Sequence, residues 1–210
     1  MAKQCSAIEP EHRAFIEKQH IFFTGSAAHR SRVNVSPKDA ASLRILSPHQ
    51  VVYLDLTGSG NETAAHLLAD GRLTLMFCAF EGAPLILRLY GHGRVVPRNS
   101  EEYRDLLAKW FGNDDRLGAR QIIVLDVNLV QTSCGYGVPE FAYTRERPTL
   151  TRWAEAKGES GLIEYRRLKN ARSIDGLPTG MEDDPLDADT SPAASQRHEG
   201  ISTDLARAGR

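Results

Sequence analysis

Between residues 20 and 130 the chain alternates short runs of β-branched and aromatic residues with clusters of small and polar ones. Ile21-Phe22-Phe23-Thr24-Gly25-Ser26-Ala27 is rich in strand formers and ends in small residues. Arg32-Val33-Asn34-Val35-Ser36 alternates with period two: Val33 and Val35 share one face, Arg32, Asn34 and Ser36 the other, and Pro37 follows as a breaker. Val51 to Leu56 forms a third strand, closed by the tight loop Thr57-Gly58-Ser59-Gly60-Asn61. Leu73 to Phe80 and Leu85 to Val96 are two longer strands joined around Glu81-Gly82-Ala83-Pro84, and Gln121 to Val130 is a sixth.

Helical periodicity fills the gaps. Pro10 to Lys18 places proline in the first turn with Phe15 and Ile16 inward, and Glu62 to Asp70 precedes Gly71. Glu101 to Phe111 is amphipathic, with Tyr103, Leu106, Leu107, Trp110 and Phe111 on its buried side. Further helical stretches run near Leu150 to Lys157 and Leu162 to Lys169. Six β-segments with inserted helices predict a mainly β (α+β) fold, a six-stranded antiparallel barrel with flanking helices, in place of alternating βαβ units. The folded domain is expected over residues 1–175, with its C-terminal helices. From residue 180 to 210, Asp, Glu, Pro, Ser and Ala dominate and large apolar residues stand singly, which predicts a disordered acidic tail.

Composition narrows the function. The 26 basic and 27 acidic residues leave a formal net charge of −1, so no broad basic field addresses nucleic acid or an anionic membrane. A phosphate-bearing ligand therefore needs a local cluster of donors. Cys5, Cys78 and Cys134 lack paired zinc spacings and a disulfide framework, and the charged N-terminus is no signal peptide, so a cytoplasmic protein is expected.

Two segments carry candidate chemistry. A strand through Arg32, Asn34 and Ser36 sets a guanidinium, an amide and a hydroxyl roughly 7 Å apart in a row, with Lys38 next on the loop. Such a row can bind an extended polar ligand, and its cations can meet a phosphate; the plainer reading is the solvated face of a half-buried strand. In Thr57-Gly58-Ser59-Gly60-Asn61-Glu62-Thr63, glycines and a helix start favour a closely approaching anion. The plainer reading there is a tight connection with an N-cap.

Together, Arg32-Val33-Asn34-Val35-Ser36-Pro37-Lys38 and Val51 through Thr63, leading into the helix with His66 and then Arg72 to Phe77, resemble the pyridoxamine 5′-phosphate oxidase-like family of flavoproteins over roughly residues 10–145. The resemblance implies an FMN-binding split β-barrel and a homodimer with flavin at the subunit interface. It implies FMN contacts from Arg32, Val33, Asn34, Val35, Ser36 and Lys38, and from Ser59, Gly60, Asn61 and Thr63. The chain departs from the oxidase where an Arg-Lys pair would meet the phosphate, reading Asn61-Glu62-Thr63-Ala64, so positive charge is expected from Arg30, Arg32 or Lys38. It also lacks the oxidase's C-terminal Arg-x-His segment, so the cofactor fold carries over and the vitamin B6 reaction does not.

Ser133-Cys134-Gly135-Tyr136-Gly137-Val138-Pro139 is open to two readings: Cys134 or Tyr136 brought over a neighbour's flavin, or a turn out of the barrel with Tyr136 packed. The histidines show no metal-type spacing, and no residue stands out as a general acid or base. The expected function is an FMN-dependent oxidoreductase acting on a small-molecule substrate or electron donor. The alternatives are a non-catalytic flavin-binding stress or carrier protein, or a split barrel using F420 or haem.

Overall fold

The computed structural model describes residues 2–181, and the acidic segment expected as a tail lies outside them beyond Met181. Eight strands form one antiparallel sheet: β1 (Lys3–Cys5), β2 (Ile21–Ser26), β3 (Asn34–Asp39), β4 (Leu43–Ser47), β5 (Gln50–Leu56), β6 (Arg72–Cys78), β7 (Ile86–Pro97) and β8 (Ala119–Ser133). The order is β3-β2-β6-β7-β8-β5-β4, with β1 paired to the far end of β8. Among the described residues four α-helices accompany them: α1 (Pro10–Ile16), α2 (Glu62–Ala69), α3 (Glu101–Phe111) and α4 (Thr149–Lys169).

The six expected strands are all present; the two additional ones, β1 and β4, are three and five residues long. β3 differs from its expected span. It starts at Asn34, not Arg32, and runs through Pro37 to Asp39. Proline is tolerated because β3 pairs only with β2, so the missing N–H falls on a free edge.

The sheet curls into a half-barrel around an interior built from Phe22, Val51, Tyr53, Leu75, Phe77 and Leu89. Helix α3 seals a second layer outside it, laying Tyr103, Leu107 and Phe111 on Val52, Leu54 and Val124. β5 is therefore covered on both faces, which explains its near-continuous apolar sequence. Ser100 caps α3 by accepting from the Tyr103 amide, and Gly112 ends it in the left-handed conformation. Helix α4 bends at Gly158 (φ 65°, ψ 174°), matching the two helical stretches read from the sequence. The chain crosses between β7 and β8 with a register shift at Gly91, where a Cβ would lie 1.9 Å from the Asp126 carbonyl oxygen. Among the described residues, no helix is long and apolar enough to cross a membrane.

A candidate site at the barrel seam

A seam runs between β3, one end of the curled sheet, and β5, next to its other end, with the start of α2 beside β5. No backbone pairing joins β3 to β5, and side chains bridge the gap instead. On β3 the period-two alternation turns Asn34, Ser36 and Lys38 toward the seam. Val33 and Val35 face outward, 73% and 64% exposed. The polar row is thus the half-buried face of an edge strand, turned toward β5 and α2.

At one end of the seam, the Asn34 amide donates to the hydroxyls of Ser26 on β2 (3.2 Å) and Thr63 on α2 (3.1 Å). Ser36 donates to Asn34 Oδ1 (3.1 Å), and Ser26 Oγ lies 3.0 Å from His66 Nδ1. At the other end Asp55, projecting from β5, accepts from Lys38 Nζ (2.6 Å), Arg120 Nε (2.8 Å) and Gln121 Nε2 (2.9 Å). Burial opposes ionisation of Asp55, but the Arg120 guanidinium and then the Lys38 ammonium more than offset it and hold the carboxyl well below its usual range. Two cations against one carboxylate leave a net charge of +1 at this end, counted over Lys38, Arg120 and Asp55.

The glycine loop is tied into the same network. Arg120 also donates to the Gly60 carbonyl (2.9 Å) and to Asn170 Oδ1 (2.8 Å), while Asn170 Nδ2 reaches the Gly58 carbonyl (3.0 Å). Gln121 donates to Asn61 Oδ1 (2.8 Å). Three buried polar atoms in and around the seam have no hydrogen-bond partner: the Tyr53 hydroxyl, Asn61 Nδ2 and His66 Nε2. Burial, and then the Asp55 charge, push the Tyr53 phenol well above its ordinary range. Orphaned buried polar groups are uncommon in folded proteins.

The structure brings Asn34, Ser36, Lys38, Asn61 and Thr63 of the expected site residues together, and separates others. Arg32 precedes β3 and is not part of the Asn34–Ser36 row; its guanidinium pairs with Asp175 just beyond the Asn34 end. Ser59 is exposed at the loop tip. Gly60 contributes a carbonyl that is already engaged by Arg120. Arg30 is exposed. Sequence reasoning missed Ser26, Tyr53, Asp55, Arg120, Gln121 and Asn170. The signal for Asp55 was present, a lone carboxylate in an apolar strand that must find a buried partner; its partners lie 65 and 66 residues away.

The segment after β8 does not enter the seam of its own chain. Cys134 is exposed, and Tyr136 is 82% exposed instead of packed. Gly135 turns the chain at φ 55°, against the Leu85 backbone, where a Cβ would lie 2.7 Å from the Leu85 nitrogen. The continuation walls a cleft of about 1570 Å³ whose floor includes Lys38, Leu56 and Thr57 and whose rim includes Phe80, Phe141 and Tyr143. Tyr143 stacks on His20 with ring centroids 3.7 Å apart. Lys38 faces both this cleft and the seam. Elsewhere Cys5, Glu9 and His12 converge within 4.8 Å, but His12 Nδ1 already accepts the Glu9 amide (3.1 Å) in capping α1.

Comparison with known proteins places this geometry. The family model for pyridoxamine 5′-phosphate oxidase matches residues 8–134. The pyridoxamine 5′-phosphate oxidase family protein ustO of Aspergillus flavus is 42% identical over 177 residues, 77% of this chain and 71% of that protein. Among solved structures, a HupZ variant from Group A Streptococcus superposes with a TM-score of 0.50 at 17% identity, covering 60% of this chain and 99% of its own. HutZ, the heme storage protein from Vibrio cholerae, gives 0.41 at 16% identity, covering 58% and 92%. The structural likenesses concern the fold, whereas the family match covers both banks of the seam and the loop between them: the chain belongs to the pyridoxamine 5′-phosphate oxidase family.

Proposed function

We propose that the chain is an FMN-binding oxidoreductase whose cofactor lies along the seam and the adjoining cleft. The observation that carries this reading is the donor set of the seam. The neutral groups of Asn34, Ser36 and Thr63 sit at one end and the net-positive Lys38–Arg120–Asp55 cluster at the other. The orphaned Tyr53 hydroxyl, Asn61 Nδ2 and His66 Nε2 lie among them. A flavin carries acceptors along its ring edge and ribityl chain and an anionic phosphate at its end, so these residues fit it.

Each residue has a definable part. Asn34 and Ser36 would orient the ligand by hydrogen bonds from a strand that cannot shift without breaking its β2 ladder. Lys38 would offer positive charge to the flavin's ring edge while Arg120 retains Asp55, and Arg32, two residues before Asn34, would be the cation for the phosphate. The aromatic rim of the cleft would exclude water from one face. Bound FMN would supply two-electron redox chemistry, and the protein sets its orientation and electrostatics. The free thiols of Cys5, Cys78 and Cys134 suit a reducing cytoplasm. Exposed Val33, just before β3, and Val35, on its outer face, would supply the apolar surface for a homodimer with the flavin near the interface.

The test is the visible absorption spectrum of protein purified from flavin-producing cells, with identification of the released chromophore and addition of NADH or NADPH. Bound FMN that is reduced by either donor is the expected result. FMN that persists unreduced would make the protein a flavin carrier. A colourless protein that fails to take up added FMN would remove the cofactor from this reading.

A further inference from the structure

The chain after α4 folds back as a strap over the outer end of the seam. Asn170 is fully buried and joins Arg120 to the Gly58 carbonyl, and Thr179 Oγ1 donates back to the Asn170 carbonyl (2.6 Å). Between them residues 173–177 form a tight turn, with the Gly176 amide donating to the Ser173 carbonyl (2.9 Å), the Ser173 amide to Leu177 (2.9 Å), and Gly176 at φ 81°. The tip of this turn spans the seam. On the α2 bank, the Ile174 amide donates to both Glu62 carboxylate oxygens (3.0 and 3.1 Å). On the β3 bank, the Asp175 carboxylate accepts the Arg32 backbone N–H (2.7 Å) on one oxygen and the Arg32 guanidinium on the other.

A backbone N–H and a guanidinium converging on one oxyanion form the arrangement by which proteins capture phosphate esters. Here the chain fills it with its own carboxylate. Asp175 is largely covered, its side chain 16% exposed, whereas Arg32 is 72% exposed, so an incoming anion can reach the guanidinium from solvent. The contact lies beside the Asn34–Thr63 bridge and the first turn of α2, where Asn61 Nδ2 is buried without a partner.

We propose that Asp175 is an internal anion that holds the Arg32 end of the seam until an external phosphate monoester displaces it. This makes the strap an autoinhibitory contact of the proposed flavin site. It rests on that reading only where the phosphate is the cofactor's; a phosphorylated substrate presents the same chemistry. Displacement breaks the two Asp175–Arg32 hydrogen bonds and leaves the Ile174–Glu62, Asn170 and Thr179 contacts in place, so the Asp175 side chain turns aside without unfolding the strap or α4.

The experiment uses the full chain and its D175N variant, titrated with FMN and with riboflavin by fluorescence quenching, and separately with inorganic phosphate by thermal shift. D175N is expected to bind FMN roughly three- to tenfold more tightly, the scale of an exposed charge-assisted contact, with riboflavin unchanged. Adding R32Q should abolish the gain. Phosphate should raise the Tm of D175N more than that of the parent. FMN affinity that is unchanged or weakened in D175N, or riboflavin affinity that changes in parallel, would overturn the proposal. If neither flavin binds either protein, the cofactor reading fails and the phosphate arm decides alone. A larger Tm rise in D175N then keeps the site as one for a phosphorylated substrate, and an equal rise refutes it.

Discussion

Asp55 is the residue on which the seam depends. It is 2% exposed, carries one negative charge, and holds two cations and an amide that come from β3 and β8. Removing it leaves Arg120 buried with its charge uncompensated, a loss of about 3–5 kcal/mol for a broken buried pair. Asp55→Asn is therefore expected to lower the urea midpoint strongly, while Lys38→Met, which leaves the Asp55–Arg120 pair intact, should cost about 1 kcal/mol. Equal losses in the two variants would refute this division of labour. The pH dependence follows from the depressed folded-state pKa: the stabilisation is fully present above the ordinary carboxylate pKa of 3.8 and is lost as pH falls from there through the lower folded value. The gap between parent and D55N should thus be constant near neutrality and narrow only in acid below that point. Sequence reading passed over Asp55, although a lone carboxylate in an apolar strand needs a buried partner, and it could not have paired it with Arg120 and Gln121, which are brought to it only by β5–β8 registry. Likewise, the alternation through Asn34 and Ser36 was legible, but its inward direction was not. Period two gives two faces, and which face meets the interior depends on how the sheet closes.

At the scale of elements, the long periodic segments announced themselves: α3, β5, β6 and β7 follow from amphipathicity, caps and β-branched runs. The elements missed were those whose stability is tertiary. β1 is three residues held by β8, and β4 is five held by β5. The strap likewise contains one isolated bridge, Arg172 with Pro178, and owes its place to Asn170 and Thr179. These contacts make a specific expectation for truncation. A chain ending at Met181 keeps every one of them and should melt with the full-length protein. A chain ending at Lys169 loses the Asn170 bridge and exposes the Gly58 and Arg120 groups that it satisfied, and should lose about 2–3 kcal/mol in chemical denaturation. Equal stability of the two truncations would show that the strap is a passenger.

For the whole molecule, the edge formed by β3 raises the question of what covers it. Edge strands with exposed valines invite association, and proteins that remain monomeric usually blunt them with charge or proline. Here Pro37 removes one donor, yet Val33 and Val35 stand 73% and 64% exposed on the face opposite the Asn34–Ser36 row. Pairing two such faces would bury both valines and place each β3 edge beside the partner. Val35→Asp tests this without disturbing the monomer, because the side chain touches solvent in the isolated chain. Burying the new carboxylate at an interface costs about 3 kcal/mol or more, a dissociation constant raised at least roughly a hundredfold. Light scattering with size exclusion is expected to find dimers of the parent and monomers of V35D, with Tm of the dilute monomer unchanged. FMN affinity should fall with dimer dissociation, since the cleft would lose one wall. A V35D protein that stays dimeric, or one that becomes monomeric and binds FMN as tightly as the parent, would place the interface elsewhere or confine the flavin site to one chain.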